Sequence, residues 1–315
     1  MFHRVSIPTP FQVGPVNTYL TGRTVVDPGP NSEEAWAKLL AALEARELAP
    51  DDIEQILITH PHPDHFGLAS RFRQRGARIV ASESSTAILH DFPGRLDEEQ
   101  AYFVNFFERC GMASETARTV TELPAAFLSY ASSVHVDHAV TDGDEITVDD
   151  TPVTIRGVEG HAVGEVFFCF EAGNERQAIV GDNVLAEITP NPFLQPPATP
   201  GGSRPRVLPR YNDSLDELAT ESLDRLLPGH RDIIEDPTAR IEAIRAEHEE
   251  RTETVVDLLD RPTTPVDVME ALFGELPATE QFSGMSEAVG HLDVLEARGQ
   301  VEQEESGGVI VYEPA

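Results

Sequence analysis

The apolar positions of this chain change their spacing several times, and each change predicts an element. Residues 2–30 carry short apolar runs broken by turns. Phe2 to Ile7, Thr18 to Leu20 and Thr24 to Val26 read as strands, and Asp27-Pro28-Gly29-Pro30 ends the third. Ser32 to Ala45 has helical spacing, with Ser32 at the N-cap and Glu33 and Glu34 at the positive end of the helix dipole. The run Ile56-Leu57-Ile58 predicts a buried strand, Leu68 to Arg75 a helix closed by Gly76, and Arg78 to Ala81 another strand. Strand, helix and strand in this rhythm predict a sheet covered by helices.

From about Ser85 to Ala131 the spacing is helical, and Tyr102, Phe103, Phe106 and Phe107 fall on one face, as a packing face would. Asp142-Gly143-Asp144 is a turn, after which Glu145 to Val148, Val153 to Arg156, Val166 to Phe170 and Ala178 to Val180 read as strands. Residues 186–212 are rich in proline and read as a functional loop, with a helix expected from Ser214 to Leu226. Past Asp236-Pro237 the texture changes. Helices are expected at Thr238 to Leu259, Pro265 to Phe273 and Ser286 to Ala297, and Val301 to Tyr312 alternates like a hairpin around Gly307-Gly308. Three helices and a hairpin outline a winged helix. The expected division is residues 1–235 and a winged-helix-like C-terminal domain, residues 236–315.

Charge alters this picture in one respect. The 315 residues hold 55 acidic and 23 basic side chains, a formal charge of −32, and Lys38 is the single lysine. The acidic excess is spread along the whole chain, which points to a halophilic archaeal protein in a salt-saturated cytoplasm. Electrostatic repulsion reaches only ~3 Å near 1 M salt, so such a charge is tolerable there. No apolar run approaches the ~20 residues of a membrane span. Met1-Phe2-His3-Arg4 leads straight into strand-like sequence, so a cytoplasmic protein without a membrane partner is expected. Cys110 and Cys169 lie far apart and are expected to be free, buried thiols.

The chemistry gathers in Thr59-His60-Pro61-His62-Pro63-Asp64-His65-Phe66-Gly67, between a strand and a helix. An extended His60-Pro61-His62 places both imidazoles on one side, and each proline biases the histidine before it toward that geometry. Asp64 and His65 then fall at the helix start. Neutral imidazole and carboxylate are the ligands of hydrolytic zinc. Three later turns supply partners: Gly160-His161, Gly181-Asp182 and Pro228-Gly229-His230. Seven candidate ligands result: His60, His62, Asp64, His65, His161, Asp182 and His230.

Together with Asp27-Pro28-Gly29, this ordered set resembles the metallo-β-lactamase superfamily over about residues 5–235. The resemblance implies a four-layer αββα sandwich with two zinc ions at one edge, between the sheets. It places His60, His62 and His161 on one metal and Asp64, His65 and His230 on the other, with Asp182 bridging. Iron or manganese can occupy such ligands as well. It further implies that a hydroxide shared by the metals is the nucleophile and that Asp64 orients it or takes its proton. Asp27 would bond a ligand histidine or hold its loop.

Asp182 stands where the usual two-zinc β-lactamases carry cysteine, and His62 where flavodiiron relatives carry glutamate. The chain is most similar to glyoxalase II-like hydrolases with a short C-terminal winged helix. Tyr211-Asn212-Asp213-Ser214-Leu215, His248-x-x-Arg251 and His291 to Gly299 carry that likeness. The expected function is therefore dinuclear zinc-dependent hydrolysis of a small-molecule thioester or ester. The alternative is a metal-dependent endoribonuclease acting on single-stranded RNA, as one branch of this architecture is. Residues 236–315 hold nineteen acidic residues against five arginines, which opposes phosphate binding by charge, though less so in a halophile. Tyr211 is a candidate substrate contact from the loop, with core packing as its other reading. Asn183 and Arg231 stand where relatives often carry other residues. His3, His90, His135, His138, His248 and His291 are expected to be structural or on the surface.

Overall fold

The first sheet follows the chain strand by strand: β1 (His3–Ile7), β2 (Val16–Thr21), β3 (Thr24–Val26), β4 (Gln55–Leu57), β5 (Arg78–Ser82) and β6 (His138–Val140). Short connections make β1–β2–β3 antiparallel, whereas β3 to β6 run parallel. Parallel neighbours need crossovers, and helices supply them: α1 (Glu33–Glu44) precedes β4, and α2 (Pro63–Phe66) and α3 (Ala69–Arg73) precede β5. Between β5 and β6 lie α4 (Thr86–His90), α5 (Phe92–Arg109) and α6 (Ser114–Glu122). The computed structural model describes residues 2–199 and 201–315.

A meander of β7 (Glu145–Val148), β8 (Thr151–Gly157), β9 (Val166–Ala172) and β10 (Glu175–Ile179) forms the second sheet, which β11 (Arg225–Leu227) joins in parallel with β10. In β7 the side chains alternate as a strand must: Ile146 and Val148 are buried, Glu145 and Thr147 exposed. The two sheets face each other. Tyr19, Val26, Leu57, Val80 and Val140 of the first pack with Val153, Ile155, Phe168, Ile179 and Leu227 of the second. These are the two central layers of the sandwich. α1 packs against β1 through Ala35, Leu39 and Leu43, and Ser32 caps it by accepting from the Ala35 N–H. Burying leucines such as Leu39 and Leu43 stabilises by about 1.5–3 kcal/mol each.

Two departures from the sequence reading have physical causes. The helix expected over Ser214–Leu226 runs instead as α7 (Val207–Ala219), and Arg225–Leu227 is strand. A short apolar run reads equally as either, and pairing with β10 decides it. The helix expected over Leu68 to Arg75 is α3, and a separate short helix that the spacing did not predict, α2, precedes it. Pro63, at the first helical position where its missing N–H costs nothing, starts α2 inside the histidine loop.

Two compact units divide the chain. One comprises Met1–Pro93, Phe127–Pro190 and Ala219–Ile241, and holds both sheets; the other comprises Gly94–Ala126, Asn191–Leu218 and Glu242–Ala315. The second unit thus draws on earlier segments besides the C-terminal one. After α8 (Pro237–Leu258) come α9 (Pro265–Phe273), α10 (Ala278–Ala297) and the antiparallel hairpin β12 (Val301–Ser306) and β13 (Val309–Pro314), whose turn glycines Gly307 and Gly308 both have positive φ. Phe103 and Phe107 of α5 pack there with Met285, Leu292 and Leu295, so the aromatic face is a core face. α10 starts eight residues before the expected Ser286. Gly284, which masked the helix in the sequence, lets Met269 and Leu276 approach its backbone. Cys110 and Cys169 are buried and unpaired. Among the described residues no helix is long and apolar enough to cross a membrane.

Candidate metal centre

Every candidate ligand lies just past a strand of the first compact unit. β4 runs into His60; β8 leads to the loop of His161, β10 to Gly181-Asp182, and β11 to Pro228-Gly229-His230. Strand ends fix where the loops begin, and the loops close on one another. His62, at the N-cap of α2, has extended geometry (φ −88°, ψ 143°), as the proline after it requires. All seven residues converge. Donor atoms of His60, His62 and His161 lie within 4.8 Å of one another, as do those of Asp64, His65 and His230, and those of His60, His65 and Asp182. His62 Nδ1 and His161 Nε2 are 3.1 Å apart. His230 Nε2 lies 3.3 Å from Asp64 Oδ2 and 3.4 Å from Asp182 Oδ2, and His65 Nε2 lies 3.5 Å from Asp182 Oδ1.

The fit to a cation can be judged from atoms without partners. Nε2 of His60, His65 and His230 and Oδ1 of Asp182 are buried and make no hydrogen bond. Burying one such polar atom unpaired costs about 1–3 kcal/mol. Four of them pointing into one space match what divalent metal needs, imidazole and carboxylate donors. The residues fit a metal ion. Asp182, with one oxygen toward His65 and the other toward His230 and His161, faces both three-ligand groups.

The opposite nitrogens of these rings are held. His230 Nδ1 donates to the Pro15 carbonyl at 2.8 Å, which turns Nε2 toward the other ligands. Asp27, buried with φ +49°, accepts the Thr59 N–H at Oδ1 (2.9 Å). Its Oδ2 accepts the Thr59 hydroxyl (2.6 Å) and faces His65 Nδ1 at 2.9 Å. The Thr59 hydroxyl in turn lies 3.0 Å from His60 Nδ1. Asp27 therefore both bonds a ligand histidine and holds the loop.

Charges follow from this packing. Burial first, then neighbouring His65 and His62, hold His60 well below the usual imidazole range, and burial with His161 takes His62 down to about 3. Burial opposes charge on His65 and His230 also, but Asp182 with its fellow carboxylates outweighs it and raises both. Burial would lift Asp64 and Asp182, yet the adjacent histidines hold both carboxyls below their ordinary value.

Sequence reasoning missed Glu165, a fully buried carboxylate at the mouth of β9 that accepts from Asp182 N–H and from Asn183 Nδ2, at 3.0 Å each. Burial, more than the nearby Asp182 charge, pushes its carboxyl up to about 8. It also missed Asn17 and Tyr19, which donate to the Pro228 carbonyl at 3.0 and 2.7 Å and fix the His230 turn. Gly229 was a readable signal, since a Cβ there would collide with Asp182 and His65. Arg231 adopts φ +66°, a left-handed backbone that glycine enters more readily than arginine does. Tyr211 lies in α7, not in a loop, and is fully buried with its ring 5.3 Å from that of His248, so it packs and offers no surface to a substrate. His135 and His138 are exposed, outside the ligand groups.

Comparisons with known proteins agree with this geometry. The family model described as Metallo-beta-lactamase superfamily matches residues 12–234. The chain is 28% identical over 313 residues to a Bacillus subtilis (strain 168) protein called Probable metallo-hydrolase YqjP, covering 98% of this chain and 96% of that one. A metallo-beta-lactamase family protein from Thermus thermophilus superposes with a TM-score of 0.81 at 26% identity, covering 100% and 98% of the two chains. A beta-lactamase domain protein from Burkholderia ambifaria shares the fold at TM-score 0.76 and 23% identity, covering 100% and 92%.

Proposed function

The chain belongs to the metallo-beta-lactamase superfamily, and from that premise we propose that it is a dinuclear zinc-dependent hydrolase of a small thioester or ester. The observation that carries the reading is the convergence of four buried, unpartnered donor atoms, on His60, His65, His230 and Asp182. His60, His62 and His161 would hold one cation and Asp64, His65 and His230 the other, with Asp182 shared between them. Two bound cations would lower the pKa of water from ~15.7 toward neutrality and polarise the oxygen of the bond being cleaved.

The chain's own residues do the rest. Asp64, kept ionised by His65 and His230, can orient the attacking water and take its proton on a carboxylate oxygen. Hydrolysis then forms a carbon–oxygen bond, breaks the carbon–sulfur or carbon–oxygen bond, and returns the proton to the leaving thiol or alcohol. The Pro15 carbonyl and the Asp27 carboxylate keep His230 and His65 from turning as charge redistributes. Nineteen acidic residues against five arginines over 236–315 favour a small acyl substrate over a polyanion. Cleavage of single-stranded RNA is the second reading, motivated by the three helices and hairpin that follow the catalytic unit, which we read as a winged-helix-like module.

One experiment separates them. Zinc-loaded protein in molar KCl is assayed on acyl-thiol and acyl-coenzyme A substrates beside single-stranded RNA, with Asp64→Ala as control. Thioester turnover that drops at least 100-fold in the variant, with the melting temperature of the metal-free protein unchanged, is the expected result. RNA cleavage lost in the variant would reverse the ranking, and activity untouched by the substitution would remove Asp64 from its role.

A further inference from the structure

Three of the ligand-bearing loops meet at Glu165. Its carbonyl accepts the Val158 N–H at 3.1 Å, which closes the loop that carries His161. The next residue, Val166, donates its N–H to the Thr59 carbonyl at 2.9 Å and so ties β9 to the loop that carries His60. The side chain reaches the third loop: Oε1 accepts the backbone N–H of Asp182 and Oε2 accepts Asn183 Nδ2, each at 3.0 Å. Asn183 Nδ2 also lies 3.2 Å from the Glu159 carbonyl, back in the His161 loop. Gly181 makes room for this approach, because a Cβ there would come within 2.9 Å of both Glu165 Oε1 and Thr59 Oγ1.

We propose that Glu165 is a positioning residue that holds Asp182 between the two ligand groups, an inference that rests on the metal-centre reading above. An acid costs several kcal/mol to bury without partners, and Glu165 is 1% exposed. Among the described residues no arginine or lysine pairs with it, and His60 Nδ1 is 3.8 Å away. What Glu165 gains instead is two N–H donors, and both belong to the Asp182-Asn183 turn. A carboxyl oxygen set behind a ligand's own backbone amide fixes the direction of that ligand's side chain, as outer partners of metal ligands do. Asn183 completes the pair as a donor to Glu165.

The test uses full-length protein loaded with zinc. Zinc retention is measured against a competing chelator for wild type, Glu165→Leu and Glu165→Gln, alongside the melting temperature of each metal-free protein. Leucine removes the acceptor for the Asp182 amide and should weaken zinc binding 10- to 100-fold. Glutamine keeps an oxygen for that amide and should restore affinity to within about threefold of wild type. If the leucine variant does not fold, Asn183→Ala, which removes the donor to Oε2, takes its place and should weaken zinc with little change in metal-free melting temperature. Leucine or alanine variants that hold zinc as tightly as wild type would overturn the role, as would a glutamine variant no better than leucine. A wild-type protein that binds no zinc would instead remove the metal-centre reading, and the positioning role with it.

Discussion

Replacing Asp27 by Asn exchanges one carboxylate oxygen for an NH2 group, yet it should disable two ligands. The Thr59 hydroxyl has a single hydrogen and gives it to Asp27 Oδ2, so it can only accept from His60 Nδ1, 3.0 Å away. Oδ2 is an acceptor only and receives the Nδ1–H of His65 at 2.9 Å. One carboxylate thus holds the proton on both Nδ1 atoms and leaves both Nε2 atoms to a metal, and those Nε2 atoms are among the atoms of the site without a hydrogen bond. With Asn the new NH2 donates where Oδ2 accepted. His65 must turn Nδ1 into an acceptor, and the Thr59 hydroxyl must point its hydrogen at His60. In each neutral ring the proton then sits on Nε2, where a metal would bind. Loss of an outer partner costs 10- to 100-fold in metal affinity, and two affected ligands place the expected loss at about 100-fold, or ~2.7 kcal/mol. Backbone strain does not confuse the result, because Asn tolerates φ +49° as Asp does, and Oδ1 still accepts the Thr59 N–H. Chelator competition reads the zinc affinity, and nitrogen chemical shifts of the imidazoles, taken at a pH where His65 is neutral, read the tautomers. An affinity within threefold of wild type, or a His65 ring still protonated on Nδ1 alone, would refute the reasoning.

The remaining predictions concern protons. His65 and His230 are both raised in the metal-free protein, burial opposing and Asp182 prevailing, so metal uptake near neutral pH should displace a proton from His65 and, as the pH falls, from His230 also. Apparent zinc affinity then rises with pH until the raised values are passed; calorimetry in buffers of different ionisation heat counts the protons, and a count of zero at pH 7 would contradict the charge assignment. In the second unit, burial chiefly, against the pull of Glu287, takes His248 from an ordinary 6.5 down to about 4. The unfolded chain binds that proton first, so stability is complete above pH 6.5 and falls by up to about 3 kcal/mol as pH drops toward 4. Denaturant titrations of wild type and His248→Gln should differ in this slope, and parallel curves would count against it.

The sandwich was legible where strands alternate or run apolar and a turn residue ends them. β1, β3, β5, β7 and β9 fall within a residue or two of their expected places because Asp27-Pro28-Gly29, Gly76 and Gly143 punctuate the chain. The misses share a cause. β11 and the start of α10 are set by what they pack against, β10 for the one and Met269 of α9 for the other, and both partners belong to other elements. The charge and the proline-rich stretch gave no information about α7, whose first turn falls inside the expected loop.

The site divides along the same line. Ligand identity is local: H-x-H-x-D-H sits in six consecutive residues, and the other three ligands follow strands in Gly-containing turns that stand out from their surroundings. What fixes the ligands is not local. Asp27 reaches His65 across 38 positions, Pro15 reaches His230 across 215, and Glu165 reaches the Asp182 turn across 17, each through one or two hydrogen bonds. A glutamate after a glycine, as at 164–165, carries no pattern of its own; only the sheet topology turns it toward Asp182. Asp27 could be suspected because its turn residues are unusual, whereas Glu165 could not, since any polar residue opens a strand equally well. Donor types therefore tell from the sequence which metal chemistry a site can hold. How firmly each donor is aimed depends on long-range contacts, and metal affinity and tautomer, not turnover alone, are the measurements that reach them.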